Sequence, residues 1–571
     1  MKYLRILGLV APLAFAPSHA ASPAPVAAEH GMVVSAHQLA TRIGVDVLKK
    51  GGNAVDAAVA VGYALAVTYP AAGNLGGGGF MTLQLADGRK GFIDFREKAP
   101  LAAKPDMYLD RQGNVVAGAS TRGHLAVAVP GTVAGLELAL AKYGTLKRGE
   151  LIAPSIALAE KGFVLDQGDV DLMQRSTEGL RADAATAKIF LDRGQPFRAG
   201  ARLVQKDLAE TLKAIARDGA RGFYQGRVGA ALVAASRAGG GIITQADLDQ
   251  YQAREFAPIE CDYRGYRVIS APPPSSGGVI LCEMLNILEG YPVREAGFRS
   301  AQAVHVQVEA MRHAYVDRNS LLGDPAFVKN PLERLLDKAY AAKIRAAIDP
   351  EKAAVSSQLR AGTAPHEGTN TTHYSIVDKD GNAVAVTYTL NEWFGANVTA
   401  EGTGVLLNNE MDDFSIKPGV ANTYGLVQGE ANAIAPGKRP LSSMSPTIVT
   451  RQGKPVLVLG SPGGSRIITA VLHTILNVVD YDMDVQEAVD TPRFHQQWQP
   501  QETSLEKFAL SPDTRGILER MGHRFHVLSR PVNHVAAIMV GAPTLKGKPV
   551  GSNRYYGAND PRGLTGLALG Y

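Results

Sequence analysis

Thr371-Thr372-His373-Tyr374-Ser375-Ile376-Val377-Asp378-Lys379-Asp380-Gly381-Asn382-Ala383-Val384-Ala385-Val386-Thr387-Tyr388-Thr389-Leu390-Asn391 reads as two strands joined by a polar turn. Two hairpin registers are open. A two-residue Asp380-Gly381 turn mixes bulky and small side chains on both faces. A three-residue loop, Lys379-Asp380-Gly381, with glycine in the left-handed position sorts them. One face then gathers Thr372, Tyr374, Ile376, Val384, Val386 and Tyr388. The other gathers Thr371, His373, Ser375, Ala383, Ala385, Thr387 and Thr389. A one-residue slip exchanges the faces, so this segregation favours the three-residue loop. It predicts Thr389 directly opposite Thr371, with Cβ atoms about 5 Å apart.

The hairpin begins abruptly. From Pro350 to Asn370 the chain is polar, with Ser356-Ser357, Gly362, Pro365 and Gly368, a composition that predicts an exposed, poorly structured stretch open to cutting. Thr-Thr pairs are ordinary sheet filler, and position is what distinguishes Thr371. A cut between Asn370 and Thr371 would put a hydroxyl and a free α-amine on one residue. An α-amine titrates near ~7.7–8.0 and can take the hydroxyl proton near neutral pH. Nucleophile and base then need no separate histidine or aspartate. Other nucleophile and cofactor signals are missing. There is no G-x-S-x-G elbow, Gly76 to Gly79 lacks the dinucleotide fingerprint, and the thirteen histidines include no H-E-x-x-H pattern. No cofactor and no metal is expected.

The 571 residues are 46% hydrophobic and 20% charged, a globular composition long enough on average for three or four domains. The net charge of +5 is spread thinly, without the basic runs and interleaved aromatics of a nucleic-acid binder. Lys2 and Arg5 precede the apolar run Ile6 to Phe15, followed by Pro17-Ser18-His19-Ala20. That is a secretory signal over residues 1–20, predicting export to the periplasm, or secretion, and no membrane span. Cys261 and Cys282 are the only cysteines; a disulfide and two buried thiols are equally open.

The Ala-rich segment Asn53 to Val67 predicts a helix buried on all sides. Strands are expected around Phe80 to Leu85 and Gly91 to Phe95. Residues 130–350 read mostly as helices, with Gly239 to Ile243 and Tyr266 to Ser270 as short strand-like exceptions.

Six motifs resemble the γ-glutamyltranspeptidase family. They are Asp94-Phe95-Arg96-Glu97, Thr371 to Ser375, Thr387 to Asn391, Asn408-Asn409-Glu410-Met411-Asp412-Asp413-Phe414, Arg439 to Pro446 and Gly460 to Arg466. The resemblance spans about Gly31 to Tyr571. It implies an α+β fold, a four-layer αββα sandwich of the N-terminal-nucleophile hydrolase type. It also implies a precursor that cuts itself into a large subunit, 21–370, and a small one, 371–571, which stay together as a heterodimer.

The implied reaction takes the γ-glutamyl group of glutathione or a similar donor onto Thr371 as an ester, then passes it to water, an amino acid or a dipeptide. Arg96, Ser442 and Ser443 are expected to bind the donor's α-carboxylate, and Asp413, Glu410 and Asn391 its α-ammonium. Gly463 and Gly464 would form the oxyanion hole, and Thr389 would tune the nucleophile. Residues 418–430, with Tyr424, resemble a lid. Glu410 stands where several members have glutamine, which predicts altered affinity or acceptor balance. Two rivals remain. A cephalosporin or glutaryl-β-lactam acylase shares the fold and nucleophile, but its substrates lack the ammonium that Asp413 suits. An exported binding protein would have no need of the intact set of Thr371, Arg96, Asp413 and Gly463-Gly464.

Overall fold

The Ala-rich stretch folds as the helix Ala54–Thr68, and every one of its residues is buried. Its start is set by a reciprocal cap: the Asn53 side chain accepts from the amides of Val55 and Asp56, and the Asp56 carboxylate accepts from the Asn53 amide. The small residues allow close approach. Tyr374 and Tyr388 of the hairpin donate their hydroxyls to the carbonyls of Ala58 and Gly62, at 3.1 and 3.0 Å. These bonds pin the hairpin to the helix that covers it.

The computed structural model describes residues 22–359 and 371–571. The signal predicted over residues 1–20 and the expected cleavage-site residue Asn370 lie outside the described residues. Two seven-stranded sheets dominate. The first runs Leu567–Gly570, Met32–Ser35, Thr372–Val377, Ala383–Thr389, Gly78–Gln84, Lys90–Phe95, Arg254–Phe256. The second runs Val26–Ala28, Tyr555–Asn559, Ala536–Val540, Lys454–Gly460, Thr447–Arg451, Tyr266–Ser270, Ile259–Tyr263. All pairings within both sheets are antiparallel.

Each sheet buries its outer face under helices. The Gln38–Lys49, Ala54–Thr68 and Thr132–Tyr143 helices cover the first, and the Gly277–Leu288, Ala301–Leu321 and Ile467–Val479 helices cover the second. A third core, including Val34, Ala385, Ile448, Val458 and Ile538, lies between the sheets. This is the expected α+β, αββα sandwich. Both sheets take strands from either side of residues 360–370, so the length-based expectation of three or four domains gives way to one interlocked unit.

The hairpin register is the three-residue one. Thr372 pairs with Tyr388 and Val377 with Ala383, and Gly381 closes the turn at φ +93°. Tyr374, Ile376, Val384, Val386 and Tyr388 enter the helix-covered core, while Ala383 and Ala385 face the other sheet. His373 also lies on the inter-sheet face, bonded through Nδ1 to Thr387 Oγ1 at 2.8 Å and through Nε2 to Ser375 Oγ at 3.1 Å. Burial, with His534 nearby, pushes it down to about 3. It is a neutral core histidine and no general base.

Two expectations need correction. Gly239 to Ile243 is no strand but the turn that ends the helix Gly226–Ala238. Gly240 sits at φ +76° and the Gly241 amide donates to the Ser236 carbonyl at 2.7 Å, a reversal that three successive glycines permit. The described part of the polar stretch, 350–359, is anchored instead of loose. It holds a single helical turn, Ser356–Leu359. Arg312 donates to Ser356 Oγ at 2.6 Å, and Trp498 Nε1 donates to the Ser356 carbonyl at 2.9 Å.

Cys261, in the strand Ile259–Tyr263, and Cys282, in the helix Gly277–Leu288, form a disulfide across 21 residues of sequence. This resolves the two open readings. Closing a loop of that size is worth about 3 kcal/mol through the unfolded state. A Cys261→Ala/Cys282→Ala chain is therefore expected to unfold at clearly lower denaturant concentration, and coincident denaturation curves would contradict this.

Candidate active site

The register aligns the site. Thr371 lies immediately before the strand Thr372–Val377, and Thr389 ends the partner strand. Thr389 pairs onward with Gly78, and Gly79 pairs with Phe95, which precedes Arg96. The same edge of the sheet therefore presents Thr371, Thr389 and Arg96 in a row. Thr389 Oγ1 donates to Thr371 Oγ1 at 3.3 Å, and the Asn391 amide donates to Thr389 Oγ1 at 2.8 Å. The amide occupies the oxygen of Thr389, which leaves its proton to point at Thr371. A hydrogen bond into the Thr371 oxygen favours the alkoxide form.

A small cavity opens on these residues. Its walls include Thr371, Thr389, Asn391, Arg96, Glu410, Asp413, Ser442, Ser443, Gly464 and Tyr424, with Arg318. All the expected site residues within the described chain are thus brought together, Gly463 adjoining Gly464. The acidic wall is a 3₁₀ turn, Glu410–Asp413, held by Asn408, whose Oδ1 accepts from the Glu410 amide at 3.0 Å. Ser442 and Ser443 lie on the segment leading into Thr447–Arg451. Ser442 Oγ accepts from the Met444 amide at 3.1 Å, and Ser443 Oγ accepts from Arg318 Nη2 at 2.8 Å. Each oxygen is occupied as an acceptor, so each hydroxyl can donate into the cavity.

Arg96 is fully buried and already engaged. Its Nη1 donates to Glu410 and its Nη2 to Asp413, Glu97 lies at 3.5 Å, and Nε donates to the Pro440 carbonyl at 3.2 Å. Burial opposes its charge, but Glu410, Asp413 and Glu97 outweigh burial and hold its pKa above the ordinary arginine value. Burial lifts the Glu97 carboxyl to about 7 despite Arg96. Burial also lifts Glu410 well above the usual range, against Arg96 and with Glu97 and Asp413 adding to the rise. Three carboxyl groups thus surround one guanidinium.

Gly463 and Gly464 follow the strand Lys454–Gly460 and begin the 3₁₀ turn that runs into the helix Ile467–Val479. Their φ values are +128° and +57°, positions where a side chain is strained. Their amides lie at a helix entrance, where backbone N–H groups favour negative charge. Tyr424 caps the cavity: it is 3% exposed and donates to the Asn391 carbonyl at 2.6 Å. Thr423 donates to Asp412 through its amide at 2.9 Å and to Glu392 through its hydroxyl at 3.2 Å.

Sequence reasoning missed Arg318. It stands on the helix Ala301–Leu321, within a region read only as helical. A charged residue inside a helix with fifteen buried positions was the available signal.

The sequence model of the gamma-glutamyltranspeptidase family matches residues 40–569. The chain belongs to this family. A gamma-glutamyltranspeptidase relative, the glutathione hydrolase proenzyme of Pseudomonas sp. (strain A14), is 69% identical over 97% of this chain and 96% of its own. The glutathione hydrolase proenzyme of Escherichia coli (strain K12) is 51% identical over 96% of this chain and 93% of its own. Among solved structures, a cephalosporin acylase from Bacillus halodurans superposes with a TM-score of 0.83 at 26% identity, covering 98% of this chain and 99% of that one. This chain and the acylase thus share the sandwich, and the enzyme assignment rests on the 69% and 51% identity to the two hydrolase proenzymes. No helix among the described residues is long and apolar enough to cross a membrane.

Proposed function

We propose that this chain is exported, cuts itself between Asn370 and Thr371, and transfers γ-glutamyl groups from glutathione or related donors to water, amino acids or dipeptides. The single observation that carries the reading is Thr371, bonded by Thr389, lining one cavity with the carboxyl groups of Glu410 and Asp413, the hydroxyls of Ser442 and Ser443 and the guanidinium of Arg96. A γ-glutamyl group is a zwitterion with matching ends. Its α-ammonium faces Asp413 and Glu410, with Asn391 beside them. Its α-carboxylate faces Ser442, Ser443 and Arg96.

Cleavage starts with the Thr371 hydroxyl attacking the Asn370 carbonyl, and water then hydrolyses the resulting ester. The pieces 21–370 and 371–571 stay together, because each sheet interleaves strands of both. In turnover the freed α-amine of Thr371 takes the hydroxyl proton, and the oxygen attacks the donor's γ-carbonyl. The oxyanion forms against the amides of Gly463 and Gly464. The protonated α-amine delivers its proton to the departing amine, leaving the γ-glutamyl ester on Thr371. An acceptor amine or water then takes the group. Tyr424 and its neighbours act as a lid that excludes water from this ester and so favours transfer over hydrolysis. The signal expected from Lys2, Arg5 and the apolar run Ile6 to Phe15 supports export to the periplasm or out of the cell.

The donor's ammonium separates this reading from the acylase one. The enzyme is expected to hydrolyse a γ-glutamyl anilide at least about 10- to 100-fold better, in kcat/KM, than the glutaryl anilide lacking the ammonium, since charged hydrogen bonds are lost in the latter. A preference for the glutaryl compound would overturn the assignment.

A further inference from the structure

His305 and Glu309 stand one turn apart on the helix Ala301–Leu321, so their side chains share a face. His523 follows the helix Pro512–Arg520, on the far side of residue 371 in sequence. The three are 1%, 1% and 3% exposed, and one donor atom from each lies within 4.8 Å of the other two. None of them lines the Thr371 cavity. His305 Nε2 meets the Asp349 carbonyl at 2.7 Å. A carbonyl only accepts, so Nε2 carries the proton and Nδ1 carries a lone pair. That lone pair faces His523 Nε2 at 2.8 Å, which must then be the donor. Among the described residues no group bonds His523 Nδ1, so no contact pins the proton of this ring to Nε2. A buried nitrogen left without a partner calls for an explanation, and a bound ion is one of the few available.

We propose that His305, Glu309 and His523 form a zinc site that ties the Ala301–Leu321 helix to the turn after Pro512–Arg520. Two imidazoles and one carboxylate, with a water completing the tetrahedron, are a set that zinc takes, whereas magnesium and calcium seek oxygen ligands. Ligand atoms around a tetrahedral zinc sit about 3.3 Å apart at bond lengths of ~2.0–2.2 Å. The nitrogen pair at 2.8 Å therefore opens by about half an ångström while the Glu309 carboxylate swings in. The bond from His305 to Asp349 is the outer contact that orients a metal-bound imidazole. His523 moves its proton from Nε2 to Nδ1 and offers the freed lone pair, so neither ring loses a proton to solvent. Glu309 is held by a long bond from Arg312 Nε, at 3.3 Å. Arg312 repels the metal, and a zinc-bound water that releases a proton to become hydroxide offsets that charge. His523 is flanked by exposed Gly522 and Arg524, which gives an ion a path from the surface. No metal is expected from the sequence because His523 lies far along the chain from the His305–Glu309 pair, and only the fold joins them.

The inference goes beyond the γ-glutamyl reading and does not depend on it. The measurement is a calorimetric zinc titration of the untagged, chelator-treated protein, with denaturant unfolding at several zinc concentrations, for the wild type, His305→Gln, Glu309→Gln and His523→Gln. The wild type should bind one zinc in the presence of excess magnesium, and its unfolding midpoint should rise with zinc concentration. Each substitution should weaken zinc by at least about 10- to 100-fold, the loss that follows even from removing an outer contact, and should remove the zinc-dependent rise. Cobalt in place of zinc should give the visible absorption of a four-coordinate ion, lost in His523→Gln. A wild type that binds no zinc, or zinc binding unchanged by His305→Gln and His523→Gln, overturns the proposal. Glutamine keeps a hydrogen-bonding side chain, and if one variant is not recovered folded the other two read the same loss. A protein that binds zinc but hydrolyses no γ-glutamyl anilide would refute the proposed function and leave the site standing; active protein without zinc binding would refute the site alone.

Discussion

Thr371→Ala is expected to remain one chain, near the 60.4 kDa of the full sequence, and to show no measurable γ-glutamyl transfer. In the proposed mechanism the hydroxyl has two successive tasks, attack on the Asn370 carbonyl and then on the donor, and alanine removes both. Loss of a nucleophile with no substitute costs about 10⁴-fold or more in turnover. The fold should survive, because the ladder from Thr372 to Val377 is made by backbone groups and the covering contacts come from Tyr374 and Tyr388. Thr371→Ser keeps the oxygen and should cut itself, more slowly because the rotamer-fixing methyl is gone. Denaturing electrophoresis, with N-terminal sequencing of the smaller band, checks both variants. Two bands from Thr371→Ala, with a fragment starting at residue 371, would sink the mechanism for processing and catalysis together.

How much of this was legible beforehand depended on the range of the interactions. The hairpin register was, because two-residue alternation is local and the large side chains segregate in only one alignment. The buried helix was legible because Ala54 to Thr68 offers no polar face. The acidic wall and the glycine loop were found through motifs, since the shape of the cavity depends on segments far apart in sequence. Arg318 escaped because its meaning is non-local. On a helix it is one charge among several, and only the fold reveals that it lines the cavity and donates to Ser443. The Cys261–Cys282 pairing was undecidable for the same reason, a strand and a helix whose packing no spacing announces. Gly239 to Ile243 misled because a strand-like pair, Ile242-Ile243, follows glycines that turn the chain.

Gly464→Ala is expected to lower kcat by about 100- to 1000-fold, the cost of losing one donor of the proposed oxyanion hole, while self-cleavage slows and the sandwich stays folded. Three effects act in one direction. At φ +57° an alanine is strained by about 1–2 kcal/mol, which tilts the peptide carrying the amide. A Cβ on Gly464 would overlap the ring of Tyr424, so the capping tyrosine must shift and its bond to the Asn391 carbonyl loosens. Asn391 in turn supplies the amide that orients Thr389 toward Thr371, so the disturbance reaches the nucleophile. In the proposed mechanism ground-state binding depends instead on Ser442, Ser443, Asp413 and Glu410, which Gly464 does not hold, so KM should change by less than about 5-fold while kcat collapses, the mark of an interaction made in the transition state. Steady-state kinetics on the processed variant read the two constants separately. A large rise in KM with kcat preserved would place Gly464 in substrate binding and remove it from the oxyanion hole.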